Sequence, residues 1–186
     1  MSLVIAVLAA GGATRFGGGK LDADCAGKPL GRWALDAALA VPHERLTVVV
    51  GDPVPAFARG CESLVNESAE EGLGTSAALA ARWAAGCDAL LIVLADMPLV
   101  SVETLRKLVA VGCPAAVAYQ DGKPGAPAYF PATLFPALHA LTGDRGAAQV
   151  LRGLANVRLI ETRPEELRDV DRPEDLVDVA AILRSR

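Results

Sequence analysis

The chain reads as an α/β protein, a three-layer α/β/α sandwich on a mostly parallel, Rossmann-like sheet. Three observations predict this. Short apolar runs alternate with Ala- and Leu-rich stretches of helical spacing, the pattern of successive strand–helix units. Two runs, Leu3 to Leu8 (LVIAVL) and Ala89 to Leu94 (ALLIVL), are continuously apolar, as strands covered on both faces must be. Glycines follow the first run and Asp96 follows the second, at the carboxyl edge where open α/β sheets bind ligands.

In chain order, Leu3 to Leu8 is the first strand, ended by glycines. Pro29 to Val41 (PLGRWALDAALAV) has helical spacing, and Pro42 closes it. Leu46 to Val50 (LTVVV) is β-branched and stops at Gly51-Asp52. Thr75 to Ala85 is a strong helix former followed by Gly86, and Ala89 to Leu94 repeats the buried-strand pattern. Val102 to Val111 is an amphipathic helix and Ala115 to Tyr119 a further strand. The Gly- and Pro-rich stretch Gly122 to Pro136 reads as irregular, with helices near Pro131 to Leu141 and Arg145 to Leu154. Val157 to Glu161 is a short strand and Pro173 to Leu183 a closing helix.

The 186 residues fit one compact domain, 1–186, although two small ones are also within that length. At 52% hydrophobic and 22% charged, the chain buries a sizeable core; with 4% aromatics, that core is mostly Ala, Leu and Val. A net charge of −4 gives no footprint for nucleic acid or anionic lipid, though it leaves room for a local basic pocket. No apolar run approaches the roughly 20 residues of a membrane span. No basic leader region is visible before the first strand, so a cytoplasmic location is expected. Cys25, Cys61, Cys87 and Cys113 form no CxxC pair and read as reduced, mostly buried thiols. With His43 and His139 as the two histidines, zinc chemistry and a Ser-His-Asp triad have little material.

The loop after the first strand is Ala9-Ala10-Gly11-Gly12-Ala13-Thr14-Arg15-Phe16-Gly17-Gly18-Gly19-Lys20. It is neither GxGxxG nor a Walker A loop. Its small residues would let backbone N–H groups approach phosphate oxygens, while Arg15 and Lys20 supply positive charge. Composition alone fits a flexible turn with two solvated cations equally well. Asp96 in Leu94-Ala95-Asp96-Met97-Pro98 follows a buried strand, where an unpaired carboxylate is costly. Mg²⁺ held by one or two carboxylates plus phosphate oxygens would account for it; capping the helix near Ser101 is the structural alternative. Thr75 or Ser76 reads as an ordinary helix N-cap, as does Asp144 before Gly146-Ala147. Pro173 with Glu174 and Asp175 is a good helix start in its own right.

Leu8 to Lys20 with Gly27-Lys28-Pro29-Leu30 resembles the signature of MobA-like nucleotidyltransferases, LA(A/G)GxSxRxGxxK followed by G(K/R)PL. Ala13 departs from the usual serine, and Thr14 stands beside it to offer a hydroxyl. Asn66 to Leu79 resembles that family's NPxWxxGMxxSL element, with Ala69 or Glu70 where its aromatic stands, and LADMPLV resembles its metal-binding strand end. GKPGAP at Gly122 to Pro127 and Gly143-Asp144-Arg145-Gly146-Ala147 resemble the acceptor region of its molybdopterin cytidylyltransferase branch. Asp169 to Leu176 is similar to the closing D(I/V)DTPEDL motif.

The resemblance implies a nucleotide-diphospho-sugar transferase type of sheet. It also implies triphosphate and nucleoside contacts from Leu8, Ala9, Ala10, Gly11, Gly12, Arg15, Lys20, Asn66, Gly74, Thr75 and Ser76. Mg²⁺ would sit on Asp96, with Asp171 as a further ligand, and Gly125, Pro127, Asp144 and Gly146 would meet the acceptor. Arg15, Lys20 and Asp96 would be the catalytic groups. Leu8-Ala9-Ala10-Gly11 together with Gly72-Leu73-Gly74-Thr75-Ser76 looks like the cytidine-selecting version. The implied reaction joins CTP to molybdopterin or its molybdenum-loaded form, releasing pyrophosphate, with delivery of the product to a molybdoenzyme. The alternatives are a GTP-dependent guanylyltransferase, a transferase for another phosphorylated small molecule, and a non-catalytic nucleotide-binding protein.

Overall fold

The computed structural model describes residues 1–11 and 15–185. Strand β1 (Leu3–Ala9) is followed by a two-residue antiparallel ribbon, β2 (Asp24–Cys25) with β3 (Lys28–Pro29), and helix α1 (Leu30–Leu39). Then come β4 (Arg45–Val50), β5 (Ser63–Val65), α2 (Leu73–Trp83), β6 (Ala89–Leu94) and α3 (Val102–Ala110). The chain ends with β7 (Ala115–Ala118), β8 (Pro124–Pro131), α4 (Phe135–His139), α5 (Ala148–Arg152), β9 (Arg158–Ile160) and α6 (Pro173–Arg184).

Seven strands form one sheet in the order β5-β4-β1-β6-β8-β7-β9. β8 runs antiparallel to both β6 and β7, whereas the other neighbouring pairs are parallel. Because side chains alternate across a strand, β1 feeds two cores. Leu3, Ile5 and Val7 pack with Leu30, Leu35, Leu105 and Val179, beneath α1, α3 and α6. Val4, Ala6 and Leu8 pack with Ala77, Ala81, Phe135, Leu138 and Leu151, beneath α2, α4 and α5. That is the expected three-layer α/β/α sandwich. The alanines of α2 (Ala77, Ala78, Ala80, Ala81) are all buried, so this helix lies close on the sheet.

Besides the β2–β3 ribbon and β5, which the chain-order reading does not contain, four elements differ from the sequence expectation. Gly122 to Pro136 is not irregular throughout, because β8 occupies its middle. Pro124, Pro127 and Pro131 argue against an interior strand, since proline cannot donate to a ladder. A register shift accommodates Pro127, since Ala116 pairs Ala128 and Val117 pairs Gly125, leaving Ala126 and Pro127 outside the β7 ladder, while Pro124 and Pro131 are the first and last residues of the strand. The helix expected over Pro131 to Leu141 contracts to α4, and that over Arg145 to Leu154 to the five residues of α5. Asp144 does not cap α5, whose N-cap is Ala147 with no side-chain cap. α2 starts before Thr75, with Gly72 as its N-cap at φ 117°, so neither Thr75 nor Ser76 caps it. Of the four thiols, Cys25 is buried and the other three are half-buried; all are free.

Candidate active site

The site lies beyond the carboxyl ends of β1 and β6, which are hydrogen-bonded neighbours in the sheet. Lys20 opens a short 3-10 turn, Lys20–Asp22, after Gly19 at φ 63°. That turn sends the lysine back across the sheet edge, where its side chain is only 9% exposed. Lys20 Nζ donates to Asp96 Oδ2 at 2.9 Å and lies 3.6 Å from Asp171 Oδ1. Arg15 Nη1 reaches Asp171 Oδ2 at 3.2 Å from a side chain 71% exposed. Two cations from the first loop and two carboxylates from distant segments therefore meet at one point.

The carboxylates are placed by backbone, not by chance. Asp96 follows β6, and its carbonyl accepts from Val170 N–H at 3.0 Å. Val170 is fully buried, which turns its neighbours Asp169 and Asp171 outward by the two-residue alternation of an extended segment. Asp175, in the first turn of α6, then accepts from the N–H groups of Asp171 (3.0 Å) and Arg172 (2.8 Å). Asp96 does not cap α3, which is capped by Ser101 accepting from Thr104 N–H at 3.1 Å. Desolvation first, and then the charges of Asp96 and Asp171, push the Asp169 carboxyl above its usual range. The sequence places Asp169 at the head of the closing motif but assigns it no site role, because its proximity to Asp96 becomes visible only once Val170 docks.

Among the described residues no three His, Cys, Asp or Glu side chains form a ready-made metal cage. The donor set nevertheless suits a hard divalent cation. Asp96 and Asp171 aim carboxylate oxygens at the same ammonium group, and Asp169 sits in their field. Mg²⁺ takes one or two carboxylates and completes its shell with water and phosphate oxygens.

The remaining expected residues fall into two groups. Leu8 and Ala9 are buried in β1, Ala10 is half-buried and Gly11 exposed at its end; Gly12, like Ala13 and Thr14, lies outside the described residues. Asn66 is buried and already committed: its Nδ2 donates to Thr75 Oγ1 and Ser76 Oγ, both at 2.9 Å, and its Oδ1 accepts from Ser68 N–H at 3.1 Å. Asn66, Thr75 and Ser76 thus clamp the loop after β5 to the first turn of α2. A cavity of about 330 Å³ opens on the outer side of that clamp, lined by Asn66, Thr75, Arg82 and His139 among others, and Lys20 and Asp96 are not part of it.

Gly74 connects this segment to the one expected to meet the acceptor. Its N–H donates to Gly143 O at 2.8 Å. A Cβ at Gly74 would stand 2.9 Å from Gly143 O and from the Thr142 backbone, and one at Gly72 only 2.4 Å from Gly143 C. Asp144 is exposed and Gly146 half-buried beside Leu73. Gly125 and Pro127 are buried within β8, and a Cβ at Gly125 would meet the ring of Tyr119.

Residues 5–159 match the MobA-like NTP transferase domain family. The purine catabolism protein PucB of Bacillus subtilis (strain 168) is 34% identical over 191 residues, spanning 93% of each chain. Among solved structures, Rv0371c of Mycobacterium tuberculosis H37Rv superposes with a TM-score of 0.83 at 27% identity, covering 97% of this chain and 98% of that one. A manganese complex of Rv0371c superposes at 0.76 with 25% identity, covering 97% and 99%. Mth528, a nucleotidyl transferase from Methanothermobacter, shares the fold with a TM-score of 0.84 at 22% identity, over 100% and 99%. The chain belongs to the MobA-like nucleotidyltransferase family.

Proposed function

We propose that the protein transfers CMP from CTP to the phosphate of molybdopterin, or of its molybdenum-loaded form, in the cytoplasm. An oxygen of the acceptor phosphate forms a bond to the α-phosphorus of CTP, the bond from that phosphorus to the β-bridging oxygen breaks, and pyrophosphate leaves with the electron pair. The observation that carries this reading is the meeting of Arg15 and Lys20 with Asp96 and Asp171 at one sheet edge. Phosphoryl chemistry asks mainly for positioning and charge neutralisation, and these are the groups that supply it. Lys20, held on a short buried tether, neutralises the transferring and leaving phosphates; Arg15 covers the outer phosphates from the open side. Asp96 and Asp171, with Asp169 beside them, would hold Mg²⁺, which when bound polarises phosphate oxygens. The manganese complex of Rv0371c supports a divalent cation in this fold. An acceptor phosphate is ionised at neutral pH and needs no general base.

Leu8 to Gly11 would line the nucleotide, with Gly74 and the Asn66–Thr75–Ser76 clamp fixing the wall around base and ribose. Asp144 and Gly146 would border the acceptor, packed on the same wall. The name of the B. subtilis relative supports a setting in purine catabolism and, with the cofactor reading, delivery of the product to a molybdoenzyme. The test is pyrophosphate release with Mg²⁺ and CTP, GTP, ATP or UTP, each with and without molybdopterin. CTP-dependent release that requires the acceptor is expected; preference for GTP would instead assign the guanylyltransferase activity.

A further inference from the structure

Tyr119 is one of two tyrosines in the chain, and it remains 38% exposed just after β7. Its ring covers Gly125. A Cβ there would stand 2.3 Å from Cε1 and 2.6 Å from both Cδ1 and Cζ. An edge-on approach to Cε1 would leave the two flanking atoms much farther away than the middle one. The small increment means that the ring lies with its face on the glycine. One face is therefore occupied by backbone, and the exposed area belongs to the rest of the ring. The backbone is fixed as well, by Tyr119 N–H to Lys123 O at 3.0 Å and Gly122 N–H to Tyr119 O at 2.8 Å.

The position of this ring is set by the sheet. β6 and β7 end at the same edge with β8 between them, so Asp96 and Tyr119 stand two strand spacings apart, about 10 Å. Arg15 and Lys20 come from β1, on the other side of β6. The acidic groups the phenol feels are Asp169 and Asp96. The exposed part of the ring thus borders the carboxylate cluster on the side away from the triphosphate loop.

We propose that Tyr119 is a stacking platform that selects an acceptor carrying a planar heteroaromatic ring over aliphatic phosphomonoesters. This rests on the transferase reading above and deepens it. A ring seated on Tyr119 leaves its phosphate free to reach the space in front of Asp96, so the stack places the nucleophile. A platform already held by Gly125 and two backbone hydrogen bonds loses little freedom when the ligand lands, and stacking is tolerant of ring substituents.

The test compares wild type with Tyr119→Leu and Tyr119→Phe in three measurements: CTP affinity without acceptor, KM and kcat for molybdopterin, and quenching of the fluorescence of free 6-hydroxymethylpterin. Tyr119→Leu is expected to raise the acceptor KM about tenfold, the scale of one lost base–aromatic stack, and to abolish pterin quenching while CTP affinity holds. Tyr119→Phe, which keeps the ring, restores both. An unchanged acceptor KM in Tyr119→Leu overturns the proposal, as does undiminished quenching or an equal loss of CTP affinity. Glycerol 3-phosphate competing as well as a pterin phosphate also overturns it. If wild type releases no pyrophosphate with molybdopterin yet quenches pterin through Tyr119, the transferase reading fails and the platform stands.

Discussion

Lys20 and Arg15 differ in how the fold holds them, and that difference sets the size of their expected effects. The Lys20 side chain is 9% exposed and that of Arg15 71%, so solvent screens Arg15 far more. Lys20→Ala is expected to lower turnover on the order of 10²–10³, the loss typical of one preorganised electrostatic group. Arg15→Ala should lose only roughly tenfold on the same scale, read as steady-state pyrophosphate release. Asp96→Asn is expected to match Lys20→Ala and to lose the response to added metal. Retention of near-normal rate by Lys20→Ala or Asp96→Asn would remove the proposed chemistry. Lys20 and Asp96 were legible in the sequence because Lys20 closes the glycine-rich loop after the first strand and Asp96 follows the apolar run Ala89 to Leu94. Tyr119 and Asp169 were not: the former depends on a glycine six residues later, the latter on Val170 docking to the Asp96 carbonyl.

At the scale of elements, the wall of the site is built by backbone meeting backbone. Gly74→Ala puts a methyl 2.9 Å from Gly143 O and the Thr142 backbone, with no flexible side chain to yield. A loss of about 1–3 kcal/mol is expected, as for overpacking elsewhere, measured by denaturant unfolding; an unchanged midpoint would mean that the Thr142–Gly143 loop moves freely from α2. Glu166 ties the segment leading to Asp169 onto α3. Its carboxylate is buried and accepts from Thr104 Oγ1 at 2.7 Å, Ser101 N–H at 3.1 Å and Arg163 Nε at 3.2 Å. Burial alone would raise its pKa, but these hydrogen bonds hold it below the ordinary 4.5. A carboxyl whose folded-state pKa is depressed stabilises above its unfolded value and loses that contribution as pH falls through the folded one. Glu166→Gln should therefore be less stable than wild type near neutral pH, with the gap closing as pH drops below 4.5. A pH-independent gap would contradict the assignment. The parallel strands were readable from apolar runs, whereas β8 was hidden by its three prolines, two of which are its end residues while the third, Pro127, is admitted by the register shift opposite β7.

Across the whole molecule, the site neutralises itself. The cations expected to hold phosphate are paired with the carboxylates expected to hold metal. A metal ion alone must displace Lys20, and a triphosphate alone must draw Lys20 and Arg15 from their carboxylates. Together they satisfy both sets, so each should favour the other by mutual linkage. Calorimetry is expected to show CTP binding at least about fivefold tighter with Mg²⁺ than with chelator, the lower end of ordinary coupling. Lys20→Met should bind the metal alone more tightly than wild type does. Independent binding of the two ligands would show that the ion pairs are incidental. No helix among the described residues is long and apolar enough to cross a membrane, and alternation of strands and helices placed the three layers correctly from sequence. The pairing of the two charge sets across the sheet edge was beyond its reach, because it joins residues 76 and 156 positions apart.

Mg²⁺-dependent pyrophosphate release from CTP, with and without molybdopterin, tests the account most directly. The account predicts release only when CTP, metal and acceptor are all present, and its loss in Asp96→Asn. Silence with all four nucleoside triphosphates from folded, CTP-binding protein, or release indifferent to metal, would contradict it.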